Sequence, residues 1–195
     1  MKITLNKKQK KKQLLDNEEI YKIMKEILLR EDKLDREKKH FWIMGLNRYR
    51  QLLYVELVRL GPFSRKLTAH EAFKIAIDKE AKIVILVQNK EEDEPLHPSP
   101  FDLDMTDHLI QIGKIIKINV SDHLIIQEDG QYKSFVDIDL YESLLNSRKY
   151  VPITTLEDKA RKRGERVGKT RGINERNIEI AESMIKDNID NTIIA

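Results

Sequence analysis

Five consecutive apolar residues, Ile83-Val84-Ile85-Leu86-Val87, leave this chain few options. A run this short and this rich in β-branched residues, with no polar face, reads as a strand covered on both sides. Helix signals stand before and after it. Upstream, Thr68-Ala69-His70-Glu71 spells a capping box. The Thr68 hydroxyl can accept from the backbone at Glu71, whose carboxylate reaches back. The helix it opens, residues 69–80, is expected to turn Ala72, Phe73, Ala76 and Ile77 inward. Downstream, Ser99 stands as an N-cap, Pro100 at the first helical position and Asp102 near the positive end of the helix dipole. They predict a helix from about 100 to 113, ended by Gly113. A buried strand between two capped helices implies an α/β (α+β) core.

The flanks extend that core. Residues 17–31 place Ile20, Ile23, Met24, Ile27 and Leu28 on one helical face. HFWIMGLN, the turn-like Asn47-Arg48-Tyr49-Arg50 and QLLYVELVRLG read as a β-hairpin that Gly61-Pro62 ends. Strands are expected near Ile115–Val120, His123–Gln127 and Tyr132–Val136, with a turn at Glu128-Asp129-Gly130 and a short helix from about 138 to 147. Beyond Pro152 the composition changes. Residues 155–190 are charged and helix-prone, with Gly164, Gly168 and Gly172 as interruptions. Three parts follow: a basic N-terminal segment with a leading helix (1–38), the core domain (39–150) and a charged helical tail (151–195).

Composition narrows the chemistry. The absence of cysteine excludes disulfides, Cys-based zinc sites and a thiol nucleophile, and fits a reducing cytoplasm. No apolar stretch approaches the roughly 18–20 residues of a membrane span. The basic N-terminus is not followed by an apolar signal region. The net charge of +3 is small. Its distribution matters more, with Lys2, Lys7, Lys8, Lys10, Lys11 and Lys12 ahead of the first acid, Asp16, and a second basic cluster from Lys159 to Arg176. Both clusters suit solvated ends or nucleic-acid contact, and no aromatic residue lies among them for base stacking. Gly164-Glu165-Arg166-Val167-Gly168-Lys169-Thr170 is one residue short of a phosphate loop and lacks the buried strand such a loop needs.

The order of elements, with PSPFDLDMTDHLIQIGKIIKINVSDHLIIQEDGQYKSF after the central loop, resembles the RadC branch of the JAB/MPN metallohydrolase domains, a family linked to DNA repair. Pro98, Ser99, Asp102, Gly113, Asp122, His123, Gly130, Tyr132, Ser134 and Phe135 carry the likeness, which covers roughly residues 15–147. It implies a mixed β-sheet flanked by helices. In this family two histidines of a His-x-His pair and the aspartate of Ser-x-x-Asp hold Zn2+, and a strand glutamate serves as general base. Such a ligand set leaves one open zinc position, where the pKa of water falls to about 7. Here Gln88 and Lys90 stand at the histidine positions, Ser99 and Asp102 are present, and Glu56 lies about where the base would be. An ammonium has no lone pair and repels a dication. The resemblance therefore implies a JAB domain without hydrolase activity and without a bound cofactor, acting as a binding or scaffolding module.

Two other readings stand beside it. One is a metallohydrolase with rearranged ligands, using His97, Asp102 and Glu56. The other is a DNA-associated protein using the basic ends. Asp104 and His108, four apart on a helix, could share an ion, whereas His40 and His70 offer no constellation. His123 is expected to pair locally with Asp122. About 35 residues precede the domain, too few for the helix-hairpin-helix region of full RadC proteins. The segment from Ala160 to Ala195 is similar to tails of PD-(D/E)XK-family transposase and nuclease proteins. Its stripe of Ile178, Ala181, Ile185 and Ile189 predicts a protein partner or self-association.

Overall fold

The computed structural model describes residues 3–5, 9, 13–62, 65–91 and 93–186. The chain divides into two units, Met1–Tyr150 and Val151–Ala195. The first contains, in order, α1 (Asn17–Leu28), α2 (Lys33–Arg36), β1 (His40–Leu46), β2 (Leu52–Leu60), α3 (Ala69–Asp78), β3 (Ile83–Asn89), α4 (Pro100–Ile116), β4 (Asn119–Ile126), β5 (Tyr132–Ser134) and α5 (Leu140–Leu145). The second unit is built on α6 (Ile153–Lys186).

The strands form one mixed sheet in the order β2-β1-β3-β4-β5. Only β3 and β4 run parallel; the other neighbours are antiparallel. A parallel pair needs a crossover, and α4 provides it. The apolar run of β3 is covered on both faces, as its composition requires. Ile85 and Val87 pack with Ile20, Met24 and Ile27 of α1. Val84 and Leu86 pack with Phe73 of α3 and with Met105 and Leu109 of α4. Each such buried aliphatic side chain contributes about 1.5–3 kcal/mol.

Both capping boxes form. Thr68 Oγ1 accepts from Glu71 N while the Glu71 carboxylate accepts from Thr68 N, and Ser99 and Asp102 repeat the arrangement.

Several expectations are corrected. Gly113 does not end α4, which runs on to Ile116 and stops at Lys117 in the left-handed region, φ 60°. Gly113 serves close packing instead, since a Cβ there would fall 2.5 Å from the Ile118 carbonyl oxygen. Ile115 and Ile116 are thus the last helical residues, and a single strand, β4, replaces the two expected between 115 and 127. An apolar run cannot by itself tell helix from strand. Ile77 points outward, 60% exposed, and Ile75 packs partly against the core in its place. The three tail glycines do not interrupt α6, because a glycine weakens a helix by about 1 kcal/mol without forbidding it.

Candidate functional site at the ends of β3 and β4

Gln88 and Asn89 are the last residues of β3, so alternation sends their side chains to opposite faces. Gln88 pairs in register with Phe41 on the face that α3 and α4 cover. It is almost fully buried, and its Oε1 has no hydrogen-bond partner among the described residues. Asn89 is a clamp. Its Oδ1 accepts from His40 N at 2.6 Å, and its Nδ2 donates to the carbonyls of Arg36 at 3.1 Å and Lys38 at 3.0 Å.

Lys90 turns onto the loop that follows. Its Nζ donates to the carbonyl oxygens of His97 at 2.5 Å and Pro95 at 3.1 Å. Gln127, past the end of β4, donates to the carbonyls of Glu91 at 2.6 Å and Glu94 at 2.9 Å. Lys39 pairs with Glu94 at 2.7 Å and holds that carboxyl below its ordinary range. The acidic loop is thus tied to the sheet through its own backbone.

On the other side of the loop, Asp102 is buried in its capping box. Its Oδ2 accepts from Ser99 N and Ser99 Oγ, both at 2.8 Å. One turn later Thr106 Oγ1 donates to the Asp102 carbonyl at 2.6 Å and lies 2.7 Å from His123 Nδ1. The hydroxyl has one proton, and the Asp102 carbonyl takes it, so His123 Nδ1–H is the donor to Thr106. The neutral His123 ring then presents an unprotonated Nε2, which has no partner among the described residues. The ring stacks on Phe135 at 4.5 Å between centroids and meets the edge of Phe41 at 5.6 Å.

Complete burial pushes the His123 pKa down to about 4; Asp102 opposes that shift and Lys90 reinforces it. The expected pairing of His123 with Asp122 is corrected: only the His123 backbone N–H reaches Asp122 Oδ1, at 2.7 Å. Asp122 instead holds the end of β5, accepting from Ser134 Oγ at 2.5 Å and from Val136 N at 3.2 Å.

Glu56, Ile43, Leu86 and His123 form one row across four strands. Glu56 and His123 are therefore three strand spacings apart, about 14 Å between Cα atoms. Glu56 is half-buried on β2, and its charge adds to burial in raising the Tyr54 phenol. His97 is exposed. No three His, Asp or Glu side chains among the described residues lie close enough together to hold a metal ion.

Asp104 and His108 have separate roles. Asp104 accepts from Lys149 at 2.5 Å and Tyr150 Oη at 2.6 Å and pairs with Lys66, which together hold its carboxyl far below the usual range. The His108 ring packs on Tyr150, 4.8 Å between centroids. The basic residues from Lys159 to Arg176 are exposed on α6, whereas the lysines at 2, 7, 8, 10, 11 and 12 lie outside the described residues.

Sequence reasoning passed over Asn89, Thr106 and Gln127. The four-residue step from Asp102 to Thr106, one helical turn, was a readable signal for the second. Amides at strand ends carry no such signal.

Fold and site together define a mixed-sheet α/β domain whose candidate site lies where the ends of two parallel strands meet a capped helix. A family profile described as the RadC-like JAB domain matches residues 14–140, and the chain belongs to that family. A UPF0758 protein of Desulforudis audaxviator is 38% identical over 94 residues, covering 48% of this chain and 40% of that protein. The UPF0758 protein TTE0897 of Caldanaerobacter subterraneus is 33% identical over 116 residues, 59% of this chain and 49% of the relative. The chain thus spans less than half the length of these relatives. No helix among the described residues is long and apolar enough to cross a membrane.

Proposed function

We propose that this RadC-like JAB domain works as a binding or scaffolding module whose metal motif is degenerate, and that it acts in the cytoplasm. The observation that carries the reading is the Lys90 ammonium, bonded to the His97 and Pro95 carbonyls at a family histidine position. The residues present do not fit the family's zinc ion. Gln88 offers a neutral amide oxygen, Lys90 offers a cation, and Asp102 is engaged in capping its own helix. His123 is a buried imidazole near them, and it stands three strand spacings from Glu56. A Ser-x-x-Asp pair that caps a helix has a structural reason to be there, so its presence does not argue for catalysis. The tail's similarity to those of PD-(D/E)XK-family proteins supports reading α6 as a portable association element.

Metal analysis of the full chain, purified without chelator, tests this. The expected result is no stoichiometric zinc. Asp102→Ala should lower stability by about 1 kcal/mol through the lost cap and leave metal content unchanged. About one zinc per chain, lost in Asp102→Ala, would overturn the reading.

A further inference from the structure

The second unit poses a physical problem. α6 runs 34 residues, about 50 Å, and carries exposed aliphatic side chains. Ile153 is 74% exposed, and Val167 and Ile178 are each 58% exposed. Most helices in proteins are stabilised by packing one face. This one also contains three interior glycines, each costing about 1 kcal/mol relative to alanine.

The pattern on the helix identifies what would cover it. From Ile153 the stripe steps by three or four residues through Leu156, Ala160, Gly164 and Val167. It continues through Asn174 and Ile178 and, in sequence, positions 181 and 185. From Ala160 to position 185, with Arg171 filling the step between Val167 and Asn174, these spacings are a palindrome about a point between Gly172 and Ile173. Turned end for end on itself, the stripe sets Val167 against Ile178, Gly164 against position 181 and Ala160 against position 185. Along the sequence, apolar or small residues then meet apolar or small ones, with Val167 and Ile178 as the bulky pair on either side of the axis.

Charge selects the same direction. Between 159 and 171 the chain has seven Lys and Arg and one Glu; between 175 and 182 it has three Glu and one Arg. Parallel pairing would stack the seven cations on their own copies. Antiparallel pairing lays them beside Glu175, Glu179 and Glu182, well within the reach of unscreened charge.

We infer that α6 pairs antiparallel with α6 of a second copy of this chain, about a two-fold axis between Gly172 and Ile173. This rests on reading α6 as an association element, and the test separates the two. The chain has no cysteine, so Val167→Cys and Ile178→Cys each introduce a single thiol, at exposed positions. The two full-length variants, one carrying a size tag, are mixed and oxidised. The mixed disulfide should exceed either symmetric one several-fold, and light scattering of the unmodified chain should give twice its 23.0 kDa. Dominant symmetric Val167→Cys dimers would overturn the antiparallel inference while keeping α6 as an association element. A chain that stays monomeric, with no disulfide formed, would overturn both.

Discussion

Glycine means opposite things in the two units of this protein. In the first unit a Cβ on Gly45 would fall 1.9 Å from a Tyr54 ring carbon, and one on Gly113 would fall 2.5 Å from a backbone oxygen. There the missing side chain is a space another group already fills. In α6 a Cβ on Gly164, Gly168 or Gly172 would meet nothing within 4 Å. The contrast separates glycines that a packed interior requires from glycines beside which a side chain would find open space. It also warns against reading one residue type by one rule.

The largest expected effect belongs to the interior. His123 is held neutral, with its pKa near 4, whereas an unfolded histidine titrates near 6.5. Between those values the unfolded chain binds a proton that the folded chain refuses. Stability from this group is therefore complete above pH 6.5 and falls as pH drops to 4, by up to about 3 kcal/mol. Asp122, whose carboxyl burial raises, works in the other direction, so the difference between wild type and His123→Leu isolates the histidine. Denaturant titrations at several pH values should show a flatter slope in the variant. An unchanged slope would mean that the buried ring is not what the interior protects.

Next comes Gly45→Ala, which forces the Tyr54 ring off its seat and should cost about 1–3 kcal/mol in denaturant unfolding. A neutral result would erase the contrast between the two units. Smallest is Gly168→Ala, on a flank of α6 away from the stripe, which should increase helicity and stabilise the helix by about 1 kcal/mol. Circular dichroism on the full chain measures it. A loss of helicity would show that Gly168, like Gly45, lies against something.

Much of the candidate site was legible. Ser99, Pro100 and Asp102 mark a helix start by local chemistry alone, and the capping box forms as written. That Gln88 and Lys90 follow the apolar run of the central strand could be read from the sequence. What Lys90 does could not, because its partners are carbonyl oxygens of a loop whose path depends on Gln127 and Lys39. The His123 ring was misassigned for a similar reason. Asp122 is its neighbour in the chain, but Thr106 and Phe135 approach it from α4 and from beyond β5.

Sequence by itself determined the buried central strand, both capped helices, the unbroken charge of the tail and the family. Each depends on a residue's own backbone and its near neighbours along the chain. Only the tertiary structure decided that Gly113 packs rather than terminates, that one strand follows it, and that a neutral histidine is buried between Thr106 and two phenylalanines. Those outcomes depend on which groups distant in sequence come to touch. Burial and hydrogen bonding are properties of contact and not of order along the chain.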